Sequence, residues 1–333
     1  MISTRPIVVA GAGSIGCFVG GMLADAGRSV ALFARPRVIA EIEQHGLRLT
    51  SFEGLDRLVS ADRLVLSQAN SVFAGAGIIL VTVKSADTAA IAEPIAQSAP
   101  RDAVIVSLQN GVGNAAVLRE RLRGWTVLSG MVPFNVIALG NGGFHRATSG
   151  DIAIEQDQAG TAEQLSVPGL VMRPTANMPG VQWGKLLLNL NNALNALSGL
   201  PLREQLSQRA WRRLLADQMT EALTAMRAEG VTPVSSTPVP AGVTPHLLRL
   251  PDTLFRILAG RTIKIDPQAR SSMWEDLQRS RRTEIDYLQG VVIEMAERHG
   301  LKVPLTRRIV ALVRDAESAG TGSPGLTPDQ VRR

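Results

Sequence analysis

Three polar side chains recur at helical spacing within an apolar stretch of the chain. Lys185, Asn189 and Asn192 stand at i, i+4 and i+7, which brings one ammonium group and two amides to the same face of a helix. The other positions are rich in leucine, and a polar stripe that is buried without partners would cost stability. Asparagine is a poor helix former and is uncommon on ordinary solvated faces. We therefore interpret the stripe as the lining of a ligand site, with a solvated face as the alternative.

Lysine is rare in this sequence, which draws attention to Lys185. Only four of the 35 basic residues are lysines, and the other 31 are arginines. A lysine can release a proton, whereas an arginine remains protonated. Lys185 is thus a candidate for proton transfer. Lys84, which directly follows a predicted strand, is a candidate ligand contact, with an ordinary surface lysine as the alternative.

A second group of polar residues lies at two predicted helix starts. Ser272 with Glu275, and Thr283 with Asp286, match the spacing of capping boxes. Capping alone explains these residues without any further function. It does not explain Glu284, which would be the first residue of its helix, where the helix dipole stabilises a carboxylate. Glu284 is therefore a candidate site residue.

A glycine-rich turn near the N-terminus indicates a bound phosphate group. Its residues are Gly11, Ala12, Gly13, Ser14, Ile15 and Gly16, between four apolar strand-forming residues and an apolar helical stretch. Gly11 permits a sharp turn, Gly13 permits close approach of a pyrophosphate, and Gly16 permits close packing of helix on strand. The helix start then offers N–H groups to the phosphates. We predict a dinucleotide-binding unit, with an ordinary loop as the alternative.

The end of the next predicted strand indicates which dinucleotide is bound. An NAD site usually has Asp or Glu here, whereas this chain has Arg35, and arginine suits the 2′-phosphate of NADP. NADPH is therefore favoured over NADH, unless Arg35 is simply a surface arginine. Asn110 also follows a predicted strand, so we expect it and Lys84 on the cofactor side of the sheet. A turn-forming role before Gly111 is the alternative for Asn110.

Alternating strands and helices in the first half of the chain must position these residues. Strands are predicted at 7–10, 29–34, 78–83, 103–108, 125–136, 144–156 and 170–175, with a hairpin-like stretch at 47–66. From residue 179 the pattern changes to helices, predicted at 181–198, 205–230, 248–259, 272–279 and 283–300.

These elements predict an α/β protein with an N-terminal Rossmann-type doubly wound sheet and a C-terminal all-helical domain. The predicted domains are residues 1–176, which would bind NADP, and residues 177–317, which would bind the substrate. Residues 318–333 are rich in Gly, Pro, Ser and Thr, and we predict that they are disordered.

The composition argues against several classes of function. The net charge is +6, but the basic residues are scattered and aromatic residues make up only 4%, which argues against nucleic-acid binding. Cys17 is the only cysteine, so neither a disulfide framework nor a cysteine metal cluster is expected, and we predict no metal site. Neither a signal peptide nor a membrane-spanning segment is recognisable. We expect a cytoplasmic protein without nucleic-acid or membrane partners.

Taken together, the motifs resemble those of the ketopantoate reductases, that is, the 2-dehydropantoate 2-reductases. The matching positions are Gly11 to Gly16, Lys84, Asn110-Gly111, Lys185 with Asn189, Ser271-Ser272-Met273 with Asp276, and Thr283-Glu284-Ile285-Asp286. The resemblance covers roughly residues 5 to 312. It implies a Rossmann domain, a helical domain, and a cleft between them for NADPH and a 2-oxo acid.

The resemblance also implies residue roles. Lys185, as proton donor, and Glu284 would be catalytic. The implied cofactor contacts are the turn from Gly11 to Gly16, Arg35, Lys84, Asn110 and Glu284, and the implied substrate contacts are Asn110, Lys185, Asn189, Asn192 and Ser272. The family's second asparagine usually follows the first by four positions, which here is Ala193. Asn192 fills this role only if one residue is deleted locally.

The implied reaction is the NADPH-dependent reduction of ketopantoate to pantoate, a step toward pantothenate and coenzyme A. One alternative is a paralogous reductase of another 2-oxo acid, because extra length at residues 232–267 could reshape the substrate pocket. Another is a non-catalytic NADP-binding regulator, which would not need Lys185, Asn189 and Glu284. The oligomeric state is left open, with a homodimer among the options.

Overall fold

The computed structural model describes residues 5–235, 239–259 and 269–333, and the chain divides into two units. The N-terminal unit is Met1–Met178 and the C-terminal unit is Pro179–Arg333. This division lies two residues beyond the domain boundary that the change in sequence pattern predicts. Parts of the extra segment at 232–267, namely 236–238 and 260–267, lie outside the described residues.

The N-terminal unit alternates strands and helices. Its elements are β1 (Ile7–Ala10), α1 (Ser14–Asp25), β2 (Val30–Phe33), α2 (Pro36–His45), β3 (Leu47–Ser51), β4 (Asp56–Val59), β5 (Leu64–Ser67), β6 (Ile78–Val81), α3 (Thr88–Ser98), β7 (Val104–Ser107), α4 (Asn114–Arg121), β8 (Thr126–Met131), β9 (Val136–Gly140), β10 (Gly143–Arg146), β11 (Ile152–Glu155), α5 (Thr161–Leu165) and β12 (Met172–Thr175).

Eight strands form the main sheet, in the order β12-β11-β8-β7-β6-β1-β2-β5. Six of the seven neighbouring pairs in this sheet are parallel, and only the β11–β8 pair is antiparallel. The register aligns the carboxyl ends at the centre of the sheet. Ala10 of β1 lies opposite Phe33 of β2 and Val81 of β6, and Val81 lies opposite Ser107 of β7. The loops that follow these four strands therefore leave from the same edge.

Both faces of this sheet are covered, as the unbroken apolar sequence of β1 requires. Ile7 and Val9 belong to one core cluster, which also contains Leu23 of α1. Val8 and Ala10 point to the other face and belong to a cluster with α3 and α4. Successive residues of a strand point to opposite faces, so a strand that is apolar at every position is buried on both sides. The predicted fold class is confirmed.

A second, four-stranded sheet was not predicted. Its order is β4-β3-β10-β9, with β3 and β4 forming the antiparallel pair expected from the hairpin-like stretch. That stretch was predicted to continue to residue 66, but β5 instead joins the main sheet parallel to β2. The predicted strands at 125–136 and 144–156 each divide, because β9 and β10 belong to the small sheet. Alternating apolar patterns cannot tell which sheet a strand joins.

The described part of the C-terminal unit contains helices and no strands. The helices are α6 (Met178–Asn189, which begins at the last residue of the N-terminal unit), α7 (Asn191–Ser198), α8 (Leu202–Ser207), α9 (Arg209–Ala228), α10 (Thr244–Leu248), α11 (Asp252–Ala259), α12 (Ser272–Gln278), a π-helical turn (Asp286–Gly290), α13 (Val291–Arg298), α14 (Pro304–Ala319) and α15 (Pro328–Arg332). Across the described residues of both units, no helix is long and apolar enough to cross a bilayer.

Two helix predictions need correction. The helix predicted at 181–198 is interrupted at Leu190, which belongs to neither α6 nor α7. Ser271, not Ser272, caps α12, because its hydroxyl accepts a hydrogen bond from the Trp274 backbone N–H at 3.1 Å. Two adjacent serines both suit a helix cap, so composition alone could not choose between them.

The prediction that residues 318–333 are disordered is wrong. α14 continues to Ala319, and the chain then turns back through Gly320 and Gly322, which both have positive φ. The Leu326 backbone N–H donates to the Leu197 carbonyl at 2.8 Å. Val331 of α15 is fully buried. The glycines form turns in an ordered segment, whereas composition alone had indicated flexibility.

Candidate active site

The turn after β1 requires its first and third glycines. Gly11 has φ +106°, and a Cβ there would lie 2.5 Å from the Val83 side chain. A Cβ on Gly16 would lie 2.5 Å from the Gly11 carbonyl oxygen, which accepts a hydrogen bond from Thr82 Oγ1 at 2.6 Å. Any larger side chain at either position would displace backbone. The two glycines thus keep α1 close to the ends of β1 and β6.

Gly13 leaves open space at the start of α1. It is the exposed N-cap residue, no side chain caps the helix, and a Cβ on it would meet nothing within 4 Å. A helix N-terminus with this shape presents backbone N–H groups and partial positive charge to an anion. The cradle therefore fits the pyrophosphate of a dinucleotide, with Ala12, Ser14 and Ile15 completing the turn.

Arg35 lies two residues beyond the end of β2. The Gly11 and Ala12 backbone N–H groups both donate to the Phe33 carbonyl at 3.2 Å, so the glycine turn and the end of β2 are held side by side. Arg35 is exposed and is the N-cap residue of α2, with Pro36 at the first helical position. A cation at this place suits recognition of a ribose 2′-phosphate.

A buried polar network fixes the loops that carry Lys84 and Asn110. Ser85 Oγ donates to the Asn110 carbonyl at 3.0 Å, and Asn114 Nδ2 donates to the same carbonyl at 2.7 Å. The Asn114 amide also donates to Ser85 Oγ and accepts from Thr88 Oγ1. Ser85, Thr88 and Asn114 are all buried, while Lys84 and Asn110 are exposed.

This network was missed by the sequence analysis. Its one sequence signal is the set of small polar residues directly after two strands, which a turn also explains. Because the network joins two loops at the aligned edge of the sheet, it holds Lys84 and Asn110 at the edge from which the glycine turn also leaves.

Lys185 lies on α6 in the C-terminal unit and has an unusual pKa. It is half-buried, and its immediate surroundings exclude enough water to lower the pKa to about 8 from 10.5. Desolvation disfavours the charged ammonium, so the proton is released more easily than from an exposed lysine. A group that titrates near neutral pH is suited to proton transfer.

The remaining polar candidates of this unit are held near the α6–α7 interruption and the start of α12. Asn189 is the last residue of α6, and Asn192 is the second residue of α7. Ser271 Oγ donates to the Asn192 carbonyl at 3.0 Å while capping α12, whose first residue is the exposed Ser272. This bond ties the residue before Ser272 to the backbone of Asn192. Ala193, at the family's usual asparagine position, is fully buried.

Two further asparagines of α7 form a hydrogen-bond network inside the C-terminal unit. Asn195 Nδ2 and Asn191 Nδ2 both donate to Gln205 Oε1 at 3.2 Å, and Asn195 Oδ1 accepts from the Ser271 backbone N–H at 2.9 Å. Asn195 and Gln205 are fully buried. The network joins α7, α8 and the start of α12, so it fixes the backbone of the residue before Ser272. The sequence signal was the excess of asparagines in an apolar helix, but only two of them were assigned to the site.

Glu284 precedes the π-helical turn. It lies one residue before the helix, not at the first helical position as predicted, and its carbonyl accepts from the Leu288 N–H at 3.1 Å. The predicted cap residue Thr283 accepts from the Ile285 N–H at 3.2 Å. Its own N–H donates to Glu317 Oε1 at 2.6 Å. Glu284 is therefore held at a helix start, with its neighbour tied to α14.

The N-terminal unit contains a glycine turn shaped for a dinucleotide, and the C-terminal unit contains a lysine of lowered pKa on the helix that also carries Asn189. This combination is that of a nicotinamide-dependent oxidoreductase. Two family models agree with it: "Ketopantoate reductase PanE/ApbA" matches residues 7–158, and "Ketopantoate reductase PanE/ApbA C terminal" matches residues 177–317.

Individual relatives point the same way. The 2-dehydropantoate 2-reductase of Halobacterium salinarum is 32% identical over 323 residues, covering 94% of this chain and 99% of that protein. The enzyme of the same name from Pyrococcus horikoshii is 29% identical, with 95% and 99% covered. The crystal structure of a PanE/ApbA family ketopantoate reductase from Ralstonia eutropha has a TM-score of 0.81 at 33% identity, covering 95% of this chain and 99% of that one.

The chain therefore belongs to the ketopantoate reductase family, which confirms the resemblance found in the sequence. It is an oxidoreductase with NADP as its cofactor.

Proposed function

We propose that this protein reduces ketopantoate to pantoate with NADPH, as a step of pantothenate biosynthesis, and that Lys185 donates the proton. The observation that carries the proposal is the pKa of Lys185, lowered to about 8 by burial. The names of its relatives, 2-dehydropantoate 2-reductase, support the choice of substrate.

Lys185 has the central chemical role. When bound, the reduced nicotinamide supplies a hydride to the ketone carbon, and the electron pair of the carbonyl bond moves to oxygen. The Lys185 ammonium stabilises the negative charge that develops there, and then transfers its proton to give the alcohol. The neutral amine regains a proton from solvent. An arginine could stabilise the charge but could not readily give up the proton.

Uncharged groups hold the substrate. Asn189, Asn192, Ser272 and Asn110 would bind the substrate's carboxylate and hydroxyl groups through amide and hydroxyl hydrogen bonds. Such groups orient the ketone without adding a second charge that competes with Lys185. The bonds from Ser271 to Asn192 and to Asn195 support this function, because they fix the start of α12 against α7.

The cofactor contacts lie mainly in the N-terminal unit. The turn from Gly11 to Gly16 would hold the pyrophosphate, Arg35 the 2′-phosphate, and Lys84 and Asn110 further parts of NADPH. Glu284, on the C-terminal unit, would act near both ligands.

Substitution of Lys185 tests the chemical role. We expect Lys185→Ala to lower kcat for ketopantoate by about two to four orders of magnitude, the usual size of lost general acid catalysis. Stopped-flow or steady-state NADPH oxidation gives kcat, and fluorescence titration gives the NADPH dissociation constant, which should stay nearly unchanged. Lys185→Arg is the matched control, because it keeps the charge but not the transferable proton. A turnover near that of the native protein in Lys185→Ala would exclude Lys185 as proton donor.

A further inference from the structure

We propose that Gln289 is a positioning residue for this reaction. Its side-chain amide, on the π-helical turn, donates a hydrogen bond to the Leu190 carbonyl and so fixes the end of α6 relative to the segment that carries Glu284. The proposal rests on the function proposed above, and it assigns to Gln289 no contact with substrate or cofactor.

The bond lies at the interruption between α6 and α7. Leu190 keeps helical dihedral angles, φ −56° and ψ −28°, and its N–H still donates to the Leu186 carbonyl at 3.0 Å. Gln289 Nε2 lies 3.0 Å from the Leu190 carbonyl oxygen. Both residues are fully buried, so removal of Gln289 would take away a donor where water has no ready access to replace it. Gln289 thus supports the helix at the residue that follows Asn189, one turn beyond Lys185.

The π-helical turn presents Gln289 to this carbonyl. A π turn has one more residue than an α turn, is rare, and occurs frequently at functional sites. Here it covers Asp286–Gly290 and starts two residues after Glu284. The Leu288 N–H donates to the Glu284 carbonyl, so the backbone of Glu284 is hydrogen-bonded to this turn. One hydrogen bond therefore links the segment of Glu284 to the segment of Lys185 and Asn189.

Gln289 has one paired and one unpaired amide atom. Gln289 Oε1 is buried and has no hydrogen-bond partner among the described residues. An apolar side chain of similar length would avoid that penalty. The Nε2 bond is the feature that an apolar replacement would lose.

Gln218 provides a matched control. It is also a fully buried glutamine in the C-terminal unit, but both its amide oxygen and its amide nitrogen lack partners in the part of the chain that the structure describes. Replacing either glutamine by methionine removes buried amide atoms and keeps a side chain of similar length. Only Gln289→Met also removes a bond to the α6–α7 interruption.

The experiment compares Gln289→Met with Gln218→Met. We expect Gln289→Met to stay folded, to bind NADPH as the native protein does, and to lose roughly ten- to a hundredfold in kcat, since small misplacements of reacting groups have effects of this size. Gln218→Met should keep the native kcat and KM. A Gln289→Met variant with native kcat and KM would overturn the proposal.

A second variant separates positioning from general damage to the core. Gln289→Glu restores a donor while its buried carboxyl is protonated, because burial favours the neutral form. We expect its kcat to exceed that of Gln289→Met at low pH and to approach it as pH rises. Equal kcat values for the two variants at all pH values would contradict a role of the donated hydrogen bond.

Amide hydrogen exchange gives a readout that does not depend on the substrate. Exchange in the peptide covering 186–194 should be faster in Gln289→Met than in Gln218→Met, because the interruption loses its support. Unchanged exchange there would overturn the proposal even if the native protein reduces ketopantoate. Faster exchange in a protein that does not reduce ketopantoate would support the positioning role and reject the proposed substrate.

Discussion

Lys185 should make the reaction depend on pH in a defined direction. Its pKa of about 8 lies below that of an ordinary lysine because burial disfavours the ammonium. The reduction needs the protonated form, so kcat/KM should be level below about pH 7 and fall tenfold per pH unit well above pH 8. The pH profile of NADPH oxidation measures this. If kcat/KM stayed level up to pH 10, Lys185 would not be the group that supplies the proton.

The titration of Lys185 also affects the stability of the fold, which should rise with pH over the range in which kcat/KM falls. The folded protein binds a proton at Lys185 less readily than the unfolded chain, so protonation favours unfolding. This penalty is complete below pH 8 and disappears as pH rises from about 8 toward 10.5. Lys185→Met should therefore raise the melting temperature at pH 7, and its advantage should vanish near pH 10.5. This comparison is the control for the kinetic profile, because it needs no substrate.

Arg35 should decide the choice between the two nicotinamide dinucleotides. Its exposed guanidinium at the end of β2 suits a 2′-phosphate, whereas a carboxylate there would repel it. We expect Arg35→Asp to lower the ratio of kcat/KM with NADPH to kcat/KM with NADH by about ten- to a hundredfold, the scale of one charge-assisted contact. Arg121→Asp, an exposed arginine of α4, is the control. An unchanged ratio in Arg35→Asp would place 2′-phosphate recognition elsewhere.

At the scale of elements, Arg212 joins four helices of the C-terminal unit. Its side chain is fully buried. It donates to the carbonyls of Leu206, Ser207, Leu248 and Leu250 and to the carboxylate of Asp252, at 2.8 to 3.2 Å. Leu206, Ser207 and Leu248 lie at the ends of α8 and α10, where helices leave carbonyls without internal partners, and Leu250 follows α10. The Arg212 guanidinium thus anchors the ends of α8 and α10 to α9.

Removing this guanidinium should destabilise the protein strongly. Arg212→Met leaves buried carbonyls without donors, and we expect a loss of about 3–5 kcal/mol in the free energy of unfolding. The exposed neighbour Arg213 is the matched control, and Arg213→Met should change stability by less than about 0.5 kcal/mol. Urea unfolding followed by circular dichroism gives both values. Equal stability of the two variants would refute the structural role of Arg212.

The elements of the N-terminal unit could be predicted where their signals are local. The glycine turn, the apolar strand before it and the residue after β2 are fixed by neighbours in sequence, so Gly11 and Arg35 could be placed at the sheet edge. The interruption at Leu190 has no such signal, because its neighbours include neither Pro nor Gly. It is supported by Gln289, 99 residues further along the chain. Long-range hydrogen bonds of this kind cannot be read from periodicity.

At the scale of the whole molecule, composition was a poor guide to the last segment. Gly, Pro, Ser and Thr between 318 and 333 indicated disorder. In the structure, Ser323 Oγ donates to the Ala196 carbonyl at 2.7 Å, and Thr327 with Gln330 forms a capping box at the start of α15. The same residue types that favour disorder also make turns and caps. Burial of Val331 favours an ordered segment over a disordered one, and this burial depends on how the other helices of the unit pack.

The site shows the same division between local and long-range information. The candidate residues came from motifs and from a family resemblance, and family membership is now shown. The residues that hold them, such as Asn114 and Asn195, were not predicted, because their partners lie on other elements. The individual roles of Lys185, Glu284 and the other site residues remain predictions for the experiments above.

The most direct test of the proposed reaction is the rate of NADPH oxidation by the purified protein with ketopantoate, compared with a panel of other branched or bulky 2-oxo acids. We predict that kcat/KM for ketopantoate exceeds that for every other acid by at least about tenfold, since pocket contacts commonly discriminate by this factor. Efficient turnover of another acid, with ketopantoate a poor substrate, would contradict the proposed substrate and place this protein outside pantothenate synthesis.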